Sequence, residues 1–218
     1  MNRPFRLATA TLTATAALLL TSCGSDEKPS GDDDKIAGAE QGDAKKSTRP
    51  SATATANADR PKVELPSDLT MSFEPAGTGD PVKKAVLADN EERMRAVNAA
   101  IAGTDPQSEA LGYYNTGKAL EASVAWVAKF KDAGLSLTGE IRYYNRQVTL
   151  KDKKTATLSF CADESKGYTK KKSTEKVNKT PVTKNSYVAY NTQLVKNAAG
   201  TWQTSQIFST RGAAQCQP

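Results

Sequence analysis

The chain has 218 residues, 30 Lys or Arg against 24 Asp or Glu, and a formal net charge of +6. It contains no histidine, which excludes a Ser-His-Asp or Cys-His nucleophile and any histidine metal site. Its three cysteines, at 23, 161 and 216, are too few and too scattered for an all-cysteine zinc site, and nothing in the sequence calls for a cofactor.

The first element is an export signal. Arg3 and Arg6 precede Leu7–Leu20, a run of 14 residues without a charge, and Leu20-Thr21-Ser22-Cys23 follows. This is the positive, apolar, small-residue order of a secretory signal, and the run is shorter than the roughly 20 apolar residues that span a bilayer. The last four residues resemble a bacterial lipobox. That resemblance implies cleavage after residue 22 and a lipid on the Cys23 sulfur. The expected location is therefore the extracytoplasmic face of the cell membrane, held through the lipid on Cys23.

Residues 24–62 contain one large apolar side chain, Ile36, among Ser, Thr, Ala, Gly, Pro, Asp and Lys. Such a segment cannot bury enough surface to offset its ordering entropy, so residues 23–62 read as a disordered tether. As a flexible coil it would span roughly 35 Å. Charge divides the chain at the same place. Residues 24–80 carry 7 basic and 12 acidic side chains, and residues 81–218 carry 21 basic and 12 acidic. From Val63 to Phe73 apolar residues recur with a period of two, which predicts an extended segment lying along the domain rather than a free-standing strand.

Asp80-Pro81 starts a helix, with a carboxylate cap followed by proline at the first helical position. Leu87, Asn90, Met94, Val97 and Ile101 form its stripe, Gly103 closes it, and Glu91, Glu92, Arg93 and Arg95 are expected on the outer face. Asp105-Pro106 starts a short helix ending near Tyr113. A third helix covers 116–133, with Leu120, Val124 and Val127 on its stripe, Trp126 and Phe130 read as core, and Gly134 as its cap. After Gly134 the period becomes two. Residues 136–150, 155–161, 187–196 and 202–209 read as strands, with turns at Asp152-Lys153 and 197–200. Helices first and an antiparallel meander second predict an α+β domain over 63–218, with three N-terminal helices packed on one face of a curved antiparallel sheet.

This order resembles the NTF2-like cone fold. Leu137-Thr138-Gly139, Ala156–Asp163 and Gly200-Thr201-Trp202 are similar to pieces of small actinobacterial cell-envelope lipoproteins of that fold. The resemblance covers roughly residues 65–218 and implies a sheet wrapped around a pocket mouth. Members use that pocket for catalysis, for binding or merely for packing. Enzymes of the fold often place an Asp and a Tyr inside the cone, which makes Glu140, Tyr143, Tyr144 and Asp163 candidates for a polar pocket lining.

Cys161 and Cys216 are the pair that remains once Cys23 is lipidated, and outside the cell they are expected to be disulfide-bonded. The sharpest charge feature is 166–184, where Lys166, Lys170, Lys171, Lys172, Lys176, Lys179 and Lys184 face one acid, Glu175. Read as a loop, it would feel anionic lipid or wall polymer. Nucleic acid is not an expected partner of an exported chain, whereas another envelope protein is. The reading favours a non-enzymatic ligand-binding or protein-interaction module. The alternatives are an isomerase- or dehydratase-type enzyme using Asp or Glu with Tyr, and a structural spacer.

Overall fold

The computed structural model describes residues 60–104 and 109–218. The expected export signal, Cys23, the expected tether through residue 59 and the expected Asp105-Pro106 helix start lie outside the described residues. The Arg60 guanidinium pairs with Asp89, whose side chain is buried.

Three helices, α1 (Pro81–Ala102), α2 (Glu109–Tyr114) and α3 (Gly117–Asp132), separate β1 (Leu69–Phe73) from the other strands. Those are β2 (Leu135–Leu150), β3 (Thr155–Lys171), β4 (Val177–Asn178), β5 (Tyr187–Lys196) and β6 (Trp202–Arg211). The sheet order is β1-β2-β3-β5-β6, with β4 paired to β3. The sheet is mixed and not wholly antiparallel, because β1 runs parallel to β2. A parallel neighbour requires a long crossover, and the three helices supply it. The extended segment expected over 63–73 thus becomes an edge strand, with Leu69, Met71 and Phe73 opposite Gly139, Ile141 and Tyr143.

The Asp80 side chain accepts from Val82 N and Lys83 N, and Gly103 closes α1 in the left-handed region at φ 87°. Leu87, Asn90, Met94, Val97 and Ile101 are buried as expected. The outward placement of Arg93 is corrected: it is 3% exposed. Helix α1 packs against β2, β6, α2 and α3, and its buried small residues Ala96, Ala99 and Ala100 allow close approach. It therefore buries more than one stripe. A second correction concerns α3. Ala119 and Ser123 are its buried residues, whereas Val124 is 51% and Trp126 47% exposed and Phe130 is half-buried. Trp126 alone of the two aromatics departs from the core reading, since Leu120, Val127 and Phe130 pack against Val97, Ile101 and Leu111.

One sheet face carries the core. Ala156, Leu158, Phe160 and Ala162 of β3 pack with Val188 and Leu194 of β5, Trp202, and Val86, Leu87 and Met94 of α1. Two irregularities bend the sheet. One lies between Glu140 and Arg142, the other between Tyr144 and Gln147. Gly139 sits at φ 94° beside the first, and a Cβ there would collide with the Lys166 carbonyl oxygen. The second puts Asn145 at φ 50° and turns Arg146 inward, where it donates to Leu87 O at 2.9 Å and Glu91 Oε1 at 2.7 Å.

Candidate functional site

The pleat decides which candidates meet. Arg142 pairs with Asp163, and Tyr144 with Cys161, on the face turned away from the helices. There Arg142 binds Glu74 at 2.6 Å and Asp163 at 3.3 Å, and lies over the Tyr144 ring. The Tyr144 hydroxyl donates to the Cys216 carbonyl. Burial would raise the Asp163 pKa, but bonds from Ser165 and Arg142 outweigh it and hold this carboxyl below its ordinary value. Glu140 is exposed beside Lys166 at 3.3 Å. Tyr143 points to the other face, 3% exposed, stacked on Phe73 and edge-on to Phe160. The four expected pocket residues therefore do not converge. The period of two separates Tyr143 from both neighbours, and the expectation of one shared lining is corrected.

Cys161 and Cys216 form a disulfide on the outer face. Ala189, Ala213, Tyr144 and Tyr187 pack around it. The chain end is thereby fastened across β3 and β5.

The lysine segment is not a loop throughout. Lys166, Lys170 and Lys171 belong to β3, which extends ten residues past the expected end, and Lys184 opens a 3-10 turn. Lys170 reaches Asp68 at 2.8 Å and Glu175 at 2.6 Å. Among the described residues no carboxylate lies within ion-pair distance of Lys171, Lys172, Lys176, Lys179 or Lys184.

The inner face holds a different cluster, centred on Arg93. Its Nε donates to Asn115 Oδ1 at 2.6 Å, one terminal nitrogen to Ser123 Oγ at 3.2 Å, and the other to Met94 Sδ at 3.2 Å. No carboxylate among the described residues pairs with it. Burial lowers its pKa from 12.5 to about 10, which leaves it cationic at neutral pH. Tyr143 and Tyr190 lie near enough to act electrostatically on it. Burial pushes the Tyr143 hydroxyl well above its ordinary value, with Tyr190 and Glu164 adding to the effect and Asn98 bonding to it. Burial likewise raises Tyr190 to about 12. Both phenols thus remain protonated donors. Tyr190 stacks on Phe160 with ring centroids 4.9 Å apart.

Towards its C-terminal end β6 becomes more exposed. Tyr190 and Ile207 are half-buried there, and Ser209 and Arg211 are exposed. Arg211 donates to Glu164 at 2.8 Å and to the Asn185 carbonyl at 2.7 Å. Glu164, Asn185 and Arg211, with Gly167, Thr180, Pro181, Thr183 and Ser186, line a groove of about 390 Å³ that includes neither Arg93 nor the tyrosines. Sequence reasoning missed Arg93, Tyr190, Glu164 and Arg211. Arg93 sits in the charged run Glu91-Glu92-Arg93-Met94-Arg95, and nothing local marks it as the buried member. Glu164 owes its place to the bulge, which no sequence pattern announces.

No protein-family model and no curated protein matches this chain. Solved structures share its outline at low identity. The intermembrane-space region of the chloroplast protein ARC6 aligns at 13% identity and TM-score 0.40, over 62% of this chain and 99% of its own. A protein from Catenulispora acidiphila aligns at 12% and 0.40, over 59% and 93%. A ketosteroid isomerase-like protein from Erwinia carotovora atroseptica aligns at 18% and 0.34, over 60% and 92%. Likeness of this degree assigns neither ligand nor reaction.

Proposed function

We propose that this chain is an extracytoplasmic lipoprotein, anchored through Cys23, whose NTF2-like domain is a non-enzymatic binding module for a small molecule. The observation that carries the binding reading is the donor character of the inner face. Arg93, Tyr143 and Tyr190 are all protonated at neutral pH, by the shifts given above. An enzyme of the isomerase or dehydratase type needs a carboxylate available to take a proton beside the reacting carbon. Asp163 and Glu140 lie on the opposite face, and Glu164 is held by Arg211. A spacer needs no buried cation, whereas Arg93 is buried here and its partners are all neutral.

The anchoring part rests on Leu20–Cys23 alone. Detergent phase partitioning tests it: wild type should enter the detergent phase and Cys23→Ala should not, while identical partitioning of processed forms would refute lipidation. Native mass spectrometry of protein extracted from its own cells tests the binding part. A discrete mass excess on the folded protein, lost on unfolding, is the expected result. A bare polypeptide mass under all gentle conditions would contradict it.

A further inference from the structure

We infer that the Arg93 cluster recognises the anionic head of a small amphipathic molecule, a carboxylate being the matching group. The inference rests on the binding reading above and goes further by naming the ligand's chemistry. A guanidinium has five N–H donors. Three are used by Asn115, Ser123 and Met94, so two have no partner among the described residues. All three acceptors are neutral, so a buried positive charge stands without a counter-charge. Burying a charge in that way is costly, and a neutral residue of similar size could fill the same space. Tyr143 and Tyr190 add hydroxyl donors beside it. Donors without acceptors and a cation without an anion are what a bound carboxylate would complete, because its two oxygens match the planar fork. A doubly charged phosphate would leave one negative charge uncompensated in the same place.

The surroundings specify the rest of the ligand. Ser123 is one helical turn from Trp126, and residues three or four apart share a helix face. Trp126 and Phe130 pack edge to face with centroids 5.2 Å apart and remain partly open to solvent. Across from the helices, the Phe160–Tyr190 stack provides an aromatic wall on the sheet. The apolar chain of such a ligand would lie against these rings, with its charged end at Arg93.

The test uses the full chain carrying Cys23→Ala, so that no lipid is added, and three probes with one chain length: octanoate, octan-1-ol and octylamine. Isothermal titration should rank octanoate at least tenfold tighter than octan-1-ol, with octylamine weakest. Arg93→Met should erase the preference for octanoate while keeping octan-1-ol binding within a fewfold. Arg93→Lys, which keeps the charge but loses the fork, should retain part of it and serves if Arg93→Met does not fold. Equal affinity for octanoate and octan-1-ol, or a preference that survives Arg93→Met, would overturn the carboxylate inference and leave the binding reading standing. No binding of any probe would overturn both.

Discussion

Replacing Arg93 by Met separates a ligand-directed charge from a structural one. The depression of its pKa from 12.5 to about 10 corresponds to about 3 kcal/mol of unfavourable charge burial, at 1.36 kcal/mol per unit. Methionine removes that penalty and keeps most of the volume. It also removes the Arg93 donor to Asn115 Oδ1 and Ser123 Oγ, a loss of about 1–3 kcal/mol for buried groups, although Ser123 Oγ still donates to Asn115 Oδ1 at 3.4 Å. Asn115 still donates to the Leu111 carbonyl at 2.8 Å. The net expectation is a protein as stable as wild type, or up to about 2 kcal/mol more stable, since buried charges often yield to apolar residues without loss. Urea unfolding at pH 7, followed by tryptophan fluorescence, measures it. The folded-state pKa is the depressed one, so the penalty is present below pH 10 and fades as pH rises from about 10 towards 12.5. The advantage of the variant should shrink over that window. Destabilisation by more than about 3 kcal/mol, the range for breaking a buried ion pair, would show that Arg93 serves the fold, and the reasoning would fail.

Four further outcomes are expected. Tyr190 has its pKa raised from 10.0 to about 12 and burial also raises Tyr143 well above its ordinary value, so their contribution is intact below pH 10 and lost at higher pH, for Tyr190 as pH rises through about 12; absorbance titration should show both ionising only as the protein unfolds. Cys161→Ala with Cys216→Ala opens a closure of 55 residues and should lower stability by about 4 kcal/mol in the chain-entropy model, and non-reducing peptide mapping of wild type should find the two joined. Arg60→Ala leaves the buried Asp89 without its cation while Asp89 still accepts from Trp202 N at 2.7 Å; a loss of about 2 kcal/mol is expected, and an unchanged melting temperature would discount the latch. Changing Lys170, Lys171 and Lys172 together to Gln should weaken binding to anionic vesicles and flatten its salt dependence, with Lys170 contributing least because two carboxylates already engage it; no binding by wild type at low salt would dismiss the anionic-surface reading.

The helices and hairpins were legible because each is specified locally. Asp80-Pro81 and Gly103 fix α1, and the turn at Asn197–Gly200 fixes the last hairpin, where Asn197 Oδ1 accepts from Thr201 N at 2.9 Å. What was not legible depends on long-range geometry. The parallel edge pairing of β1 is set by the crossover, which no local period reports. The continuation of β3 through Lys171 depends on β2 as its partner. At the site, Tyr143 was found but its companions were not. The resemblance to the cone fold suggested Tyr144 and Asp163, and the pleat sends both to the other face. The real neighbours, Arg93 and Tyr190, lie 50 positions before it and 47 after it in the chain.

The most direct test of a donor-lined recognition site is the Nε–H spectrum of arginine in the full chain carrying Cys23→Ala. Arg93 Nε–H, buried and bonded to Asn115, should give a signal that survives at a pH where exposed arginines have exchanged with water, and Arg93→Lys should remove it. Saturation with octanoate should shift that signal, while the same concentration of octylamine should leave it in place. An Arg93 signal that does not move with octanoate would contradict the account.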